Sequence, residues 1–121
     1  MTNLFFDTYA FLEILRGSKS YEKYWEAGIV TTKLNLFELY SKILRESGEE
    51  EAEVIFDKYY RFVKDFGKEV IKEAAKLKIL LNKRDVSMTD CIGYVFAQHL
   101  GIKFLTGDSA FEELDGVEFV K

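Results

Sequence analysis

The chain has no proline and only one each of cysteine, histidine and tryptophan. No proline-rich linker, repeat or low-complexity tract divides it, so a single domain over 1–121 is expected. The lone Cys91 excludes an internal disulfide and agrees with a reducing compartment. No apolar run approaches the ~20 residues needed to span a bilayer. The N-terminus also lacks a basic segment followed by a long apolar stretch and a small-residue cleavage site. A cytoplasmic protein without membrane contact is the expectation. A basic excess is missing too: net charge is −4. Nucleic-acid binders usually carry a basic footprint, so charge alone leans against such a partner. It does so unless bound metal ions offset clustered carboxylates or a local basic face is hidden in the average.

Apolar residues are plentiful, at 48% of 121 residues. A chain of this length buries roughly two-thirds of its unfolded surface on folding. The organising stretch is Thr2-Asn3-Leu4-Phe5-Phe6-Asp7-Thr8. Its continuous apolar run suits a strand buried on both faces, in the middle of a sheet, with an acid at its carboxyl end. Binding crevices of open α/β sheets lie at that end.

Further along, Tyr9 to Arg16 has helical spacing and stops at Gly17, with Asp7 or Thr8 as its cap. Ser20 to Ala27 reads as a short helix closed by Gly28, and Ile29-Val30-Thr31 as the second strand. Thr31 or Thr32 caps a helix over Lys33 to Glu46, with Leu36, Leu39, Tyr40, Ile43 and Leu44 on its apolar face and Glu38 among them. Glu49 to Val63 is a second amphipathic helix, and Val63 to Phe66 a small strand or merely the helix end. Lys68 to Asn82 follows, with Val70, Ile71, Ala74, Ala75, Leu77 and Leu81 inward. Lys68, Lys72, Lys76 and Lys83 read as its solvated face. Ser87 starts a helix whose stripe includes His99, read as a packed or partly exposed residue rather than a catalytic base. Ile102 to Thr106 and Val117 to Lys121 are the remaining strands. Phe5-Phe6, Tyr59-Tyr60 and Trp25 fit core or dimer surface better than base-stacking platforms.

Asp7, Glu38, Asp90 and Asp108 each have an ordinary explanation as a cap, turn or surface residue. Jointly they have another. Asp7 and Asp108 end apolar strands, and Glu38 and Asp90 lie early in helices that follow loops. Parallel central strands with right-handed crossovers would bring all four to one sheet edge. Four carboxylates there would repel unless cations joined them. Oxygen-only ligands suit Mg²⁺ or Mn²⁺ rather than zinc, and two such ions can drive phosphodiester displacement.

Four segments in this order resemble the PIN domain, in particular the small ribonucleases of the VapC toxin type. They are Phe6-Asp7-Thr8, Asn35-Leu36-Phe37-Glu38-Leu39, Ser87-Met88-Thr89-Asp90-Cys91-Ile92 and Leu105-Thr106-Gly107-Asp108-Ser109-Ala110-Phe111. The resemblance implies an α/β, three-layer fold with a central, mostly parallel sheet of about four to five strands between helices. It implies a divalent-metal-dependent endoribonuclease using Mg²⁺, or Mn²⁺, with Asp7, Asp90 and Asp108 as metal ligands. Glu38 would act directly or through a metal-bound water. That water, and no protein group, would be the nucleophile, with Thr106 orienting the acids. Such toxins are usually homodimers, held inactive by a small antitoxin whose basic side chain can enter the acidic pocket. Cys91 stands where alanine is more usual in the family, and fits as a small packed residue. Two other readings share the fold: a non-catalytic binding or dimerisation module, and an RNA-processing nuclease without antitoxin. An aspartyl phosphotransferase of the haloacid dehalogenase type needs a second acid where this chain has Tyr9.

Overall fold

Side chains alternate across a strand, so a run apolar at every position demands cover on both sides. In the computed structural model, which describes residues 2–121, the first strand β1 (Asn3–Phe6) receives that cover. Leu4 and Phe6 point into one core and Phe5 into another. Around β1 the chain runs α1 (Thr8–Leu15), β2 (Gly28–Val30), α2 (Lys33–Ser47), α3 (Glu49–Tyr60), α4 (Lys68–Leu80), α5 (Met88–Leu100), β3 (Lys103–Thr106) and β4 (Val117–Phe119). The strands lie in the order β2-β1-β3-β4 and every pairing is parallel. The expected three-layer α/β arrangement is therefore present, with four strands among the described residues.

The two cores differ in composition. On one face Phe5, Val30 and Phe104 meet α5 and the buried stripe of α4. There the Phe5 and Phe104 rings stack at 5.7 Å. Gly93 of α5 lies over both: a methyl group at that position would sit 2.7 Å from the Phe5 ring and 3.1 Å from Phe104. Glycine here sets how closely the helix approaches the sheet. On the other face Leu4, Phe6 and Leu105 pack with α1, α2 and α3 through Phe11, Leu36, Leu39 and Tyr59.

Several local expectations change. The segment after Gly17 is a 3₁₀ helix over Lys19–Tyr24, and Gly28 opens β2 instead of closing a helix. Tyr21 and Tyr24, both buried, are three residues apart, a spacing that the tighter helix satisfies directly. Val63 to Phe66 contributes one bridge, Val63 to Thr31, and no named strand. Ile71 (51% exposed) and Ala75 face outward. The buried stripe of α4, through Val70, Ala74 and Leu77 toward Leu81, faces mainly α5. His99 lies on the surface, 2.6 Å from Glu73. Trp25 and Tyr60 are also exposed, while Phe5, Phe6 and Tyr59 are core.

Candidate active site

The carboxyl ends of the two central strands lie side by side, because Phe6 of β1 pairs with Leu105 of β3. Beyond Phe6 the chain must turn into α1, and Asp7 makes the turn. Its backbone is extended, and its Oδ1 accepts the Ala10 N–H at 2.8 Å. Asp7 is thus an N-cap, yet it is only 2% exposed. At the end of β3 the Asp108 N–H donates to Thr106 Oγ1 at 3.0 Å, and Asp108 Oδ1 accepts the Ala110 N–H at 3.0 Å. Between them Gly107 is required by space: an added Cβ would lie 2.2 Å from the Tyr9 ring and 2.6 Å from the Val120 carbonyl.

The two helical acids arrive from opposite faces of the sheet. Ser87 Oγ accepts the Asp90 N–H at 3.0 Å, and the Asp90 carboxylate bonds back to Ser87, a reciprocal cap at the start of α5. Glu38 projects from α2, where Thr8 donates to its Oε1 at 2.7 Å. Behind that bond Asn35 Nδ2 donates to Thr8 Oγ1 at 3.4 Å, and Thr32 Oγ1 donates to Asn35 Oδ1 at 2.7 Å. Asn35 is fully buried and Thr32 nearly so. The Glu38 carboxylate is consequently anchored to the first residue of α1, next to Asp7.

All four acids line one cavity of about 670 Å³. Burial chiefly, and then the charges of Asp90 and Asp108, raise the Asp7 pKa from 3.8 to about 8, against hydrogen bonds from Thr106 and Ala10. The Asp90 pKa rises to about 6, again mainly by burial, with Glu38 and Asp108 adding to it and Ser87 opposing. Carboxylates pressed together in a low-dielectric site keep their protons unless a cation replaces them. The donors are all oxygen, which fits a hard divalent ion. Among the described residues no three acidic, histidine or cysteine side chains converge on one point. The carboxylates surround a shared cavity instead of closing a cage.

The sequence matches the PIN domain family over residues 4–117. The chain belongs to the PIN domain family. Among curated proteins none matches it. Its fold resembles that of Mycobacterium tuberculosis VapC20, a sarcin-ricin loop cleaving toxin, with a TM-score of 0.77, 18% identity, and 98% of this chain and 99% of that one covered. It also resembles VapBC2 of Rickettsia felis, bound to a DNA fragment from its promoter (0.73, 14%, 99% and 100%), and a Klebsiella pneumoniae toxin-antitoxin complex (0.73, 14%, 95% and 95%). At these identities the fold is what is shared.

In this PIN domain sequence reasoning named Thr106 and Ser87 beside the acids but passed over the roles of the residues behind Glu38. Thr8, Thr32 and Asn35 form the support behind Glu38. The available signal was a polar residue, Asn35, three positions after a threonine cap and beside Leu36 on the apolar face of α2. Phe37, Lys42 and Arg45, also on α2, line the cavity with the acids. Lys42 and Arg45 carry no local sequence signal, since a cation on a helix is ordinary, and Phe37 stands out only once its 72% exposure is seen.

Proposed function

We propose that this PIN domain is a divalent-metal-dependent endoribonuclease of the VapC type, hydrolysing RNA phosphodiester bonds as the toxin of a toxin–antitoxin pair. The observation that carries this reading is the gathering of Asp7, Glu38, Asp90 and Asp108, from four separate elements, around one cavity at the carboxyl edge of a parallel sheet. Asp7 is buried beyond what a cap requires.

In this reading Asp7, Asp90 and Asp108 hold Mg²⁺, with Mn²⁺ as a substitute. Bound there, the ion supplies Lewis acidity toward water and the scissile phosphate and offsets the charge of both. Asp7 is fixed by the Ala10 N–H and by Thr106, so its carboxylate keeps its direction as substrate enters. Thr106 holds the two strand-end acids in register through Asp7 and the Asp108 N–H. Glu38 has Oε1 occupied by Thr8, which leaves Oε2 to take a proton from the attacking water. No protein group serves as nucleophile.

The toxin assignment is supported by a fold shared with VapC20 and the two toxin–antitoxin structures. A small antitoxin with a basic side chain for the acidic cavity, a homodimer and a cytoplasmic setting belong to the same reading. The decisive experiment is cleavage of total RNA by the purified protein with Mg²⁺, Mn²⁺ or EDTA, beside Asp7→Asn. Cleavage that needs the metal and disappears in the variant supports the nuclease. Absence of both cleavage and metal-binding heat would leave a non-catalytic binding module.

A further inference from the structure

The wall of the cavity formed by α2 is chemically divided. Glu38 faces the other three acids, Phe37 stands beside it at 72% exposure, and Lys42 and Arg45 follow one and two turns farther on. A large apolar ring left in water at the mouth of a charged cavity gains nothing from folding. The two cations are equally uncommitted. Among the described residues neither joins an ion pair, although Glu38 is four residues from Lys42, a spacing that favours pairing on a helix. From Glu38 to Arg45 the helix rises about 10 Å.

We infer that this strip of α2 receives one unpaired nucleotide next to the cleaved bond, its base lying on the Phe37 ring and its flanking phosphate between Lys42 and Arg45. The inference rests on the nuclease reading and adds the residues of this chain that would hold the nucleotide beside the cleaved bond: Phe37, Lys42 and Arg45. A base in a duplex has both faces covered by its stacked neighbours, and only an unpaired base offers a free face to an aromatic ring. The cations explain how an acidic protein holds a polyanion, since positive charge is placed beside the acids rather than spread over the surface. An acidic peptide would offer Phe37 a flat ring only where it carries an aromatic side chain, whereas every nucleotide carries a base beside its phosphate.

The test uses the Asp7→Asn protein with Mg²⁺, so that RNA is bound and not cut. The probes are a short single-stranded RNA carrying one 2-aminopurine and the same strand annealed to its complement. The single strand is expected to bind more tightly than the duplex, with its fluorescence quenched on binding. Adding Phe37→Ala should weaken single-strand binding roughly tenfold and abolish the quench, while Phe37→Trp keeps both. Lys42→Ala with Arg45→Ala should reduce the salt dependence of binding by about one phosphate contact. If Phe37→Ala binds with the same affinity and quench, the inference is wrong. If the unsubstituted chain cuts no RNA and the Asp7→Asn protein binds neither probe, the nuclease reading itself has failed. Cleavage by the unsubstituted chain without discrimination by Phe37 overturns the inference alone.

Discussion

Replacing Asp7 with asparagine separates the two jobs of this side chain. The amide oxygen can still accept the Ala10 N–H, now 2.8 Å from Oδ1, and the amide nitrogen can donate to Thr106, so the cap survives. What disappears is a buried carboxyl whose pKa stands at about 8 in the folded chain, against 3.8 when free. Its folded value is raised, so the folded chain keeps a proton that the unfolded chain has released. Stability is fully present below about pH 4 and is lost as pH rises toward about 8. At about 1.4 kcal/mol per pH unit, the loss by neutral pH is on the order of 4 kcal/mol, a large part of a small domain's total. The metal-free Asp7→Asn protein should therefore be more stable than the parent near pH 7 and above, and nearly equal to it near pH 4. The assay is urea unfolding in EDTA across that range, repeated with Mg²⁺. The ion should stabilise the parent and leave the variant nearly unchanged. Equal stability of the two proteins at every pH, or a variant weaker at pH 8 without metal, would refute the reasoning from burial and like charge.

Asn35→Ala should cost about 1–3 kcal/mol in urea unfolding, because Thr32 and Thr8 lose a buried partner. It should also lower kcat more than it raises KM, since Glu38 loses the support behind its Thr8 bond. Thr106→Val should reduce metal-dependent cleavage roughly tenfold or more, by freeing Asp7 and the Asp108 N–H, a change read from metal titrations of the rate. Gly93→Ala should lower the melting temperature, with a cost of about 1–3 kcal/mol, as α5 is pushed off the Phe5 and Phe104 rings. His99→Ala should leave cleavage unchanged and stability within about 0.5 kcal/mol, because its pair with Glu73 is on the surface.

The central strands were legible because Leu4-Phe5-Phe6 and Phe104-Leu105 are apolar at consecutive positions, which only a doubly covered strand requires. The convergence of the acids could be anticipated for a related reason. Asp7 and Asp108 end neighbouring parallel strands, and topology alone brings such ends together. The segment around Tyr21 and Tyr24 was not legible: a three-residue spacing fits an α-helix or a 3₁₀ helix, and only contacts with the sheet decide. The exposure of Ile71 depends on α4 packing mainly against one helix, a tertiary fact with no local trace. Asn35 was hidden for the opposite reason, since a single polar residue on a helix defaults to the surface until its partners Thr8 and Thr32 are seen. The raised pKa of Asp7 likewise depends on how deeply the strand end is sunk, which spacing does not encode.

The strand order also bears on when the proposed nuclease would become competent. Within the sheet β1 pairs first with β2, through Leu4 and Ile29, but its other edge waits for β3, where Leu4 meets Lys103. Such distant pairing makes folding slow for a chain of this size. A ribosome-bound fragment ending before β3 would carry Asp7, Glu38 and Asp90 with β2 alone beside β1, and without Thr106 and Asp108. Catalytic competence would then arrive in one late step, with the closing of the sheet, and not grow as the chain emerges. For the proposed nuclease, activity would thus be withheld during synthesis by topology alone. In the same interval one edge of β1 is open and Phe5 lacks the Phe104 ring that stacks on it, which makes this the stage most exposed to aggregation.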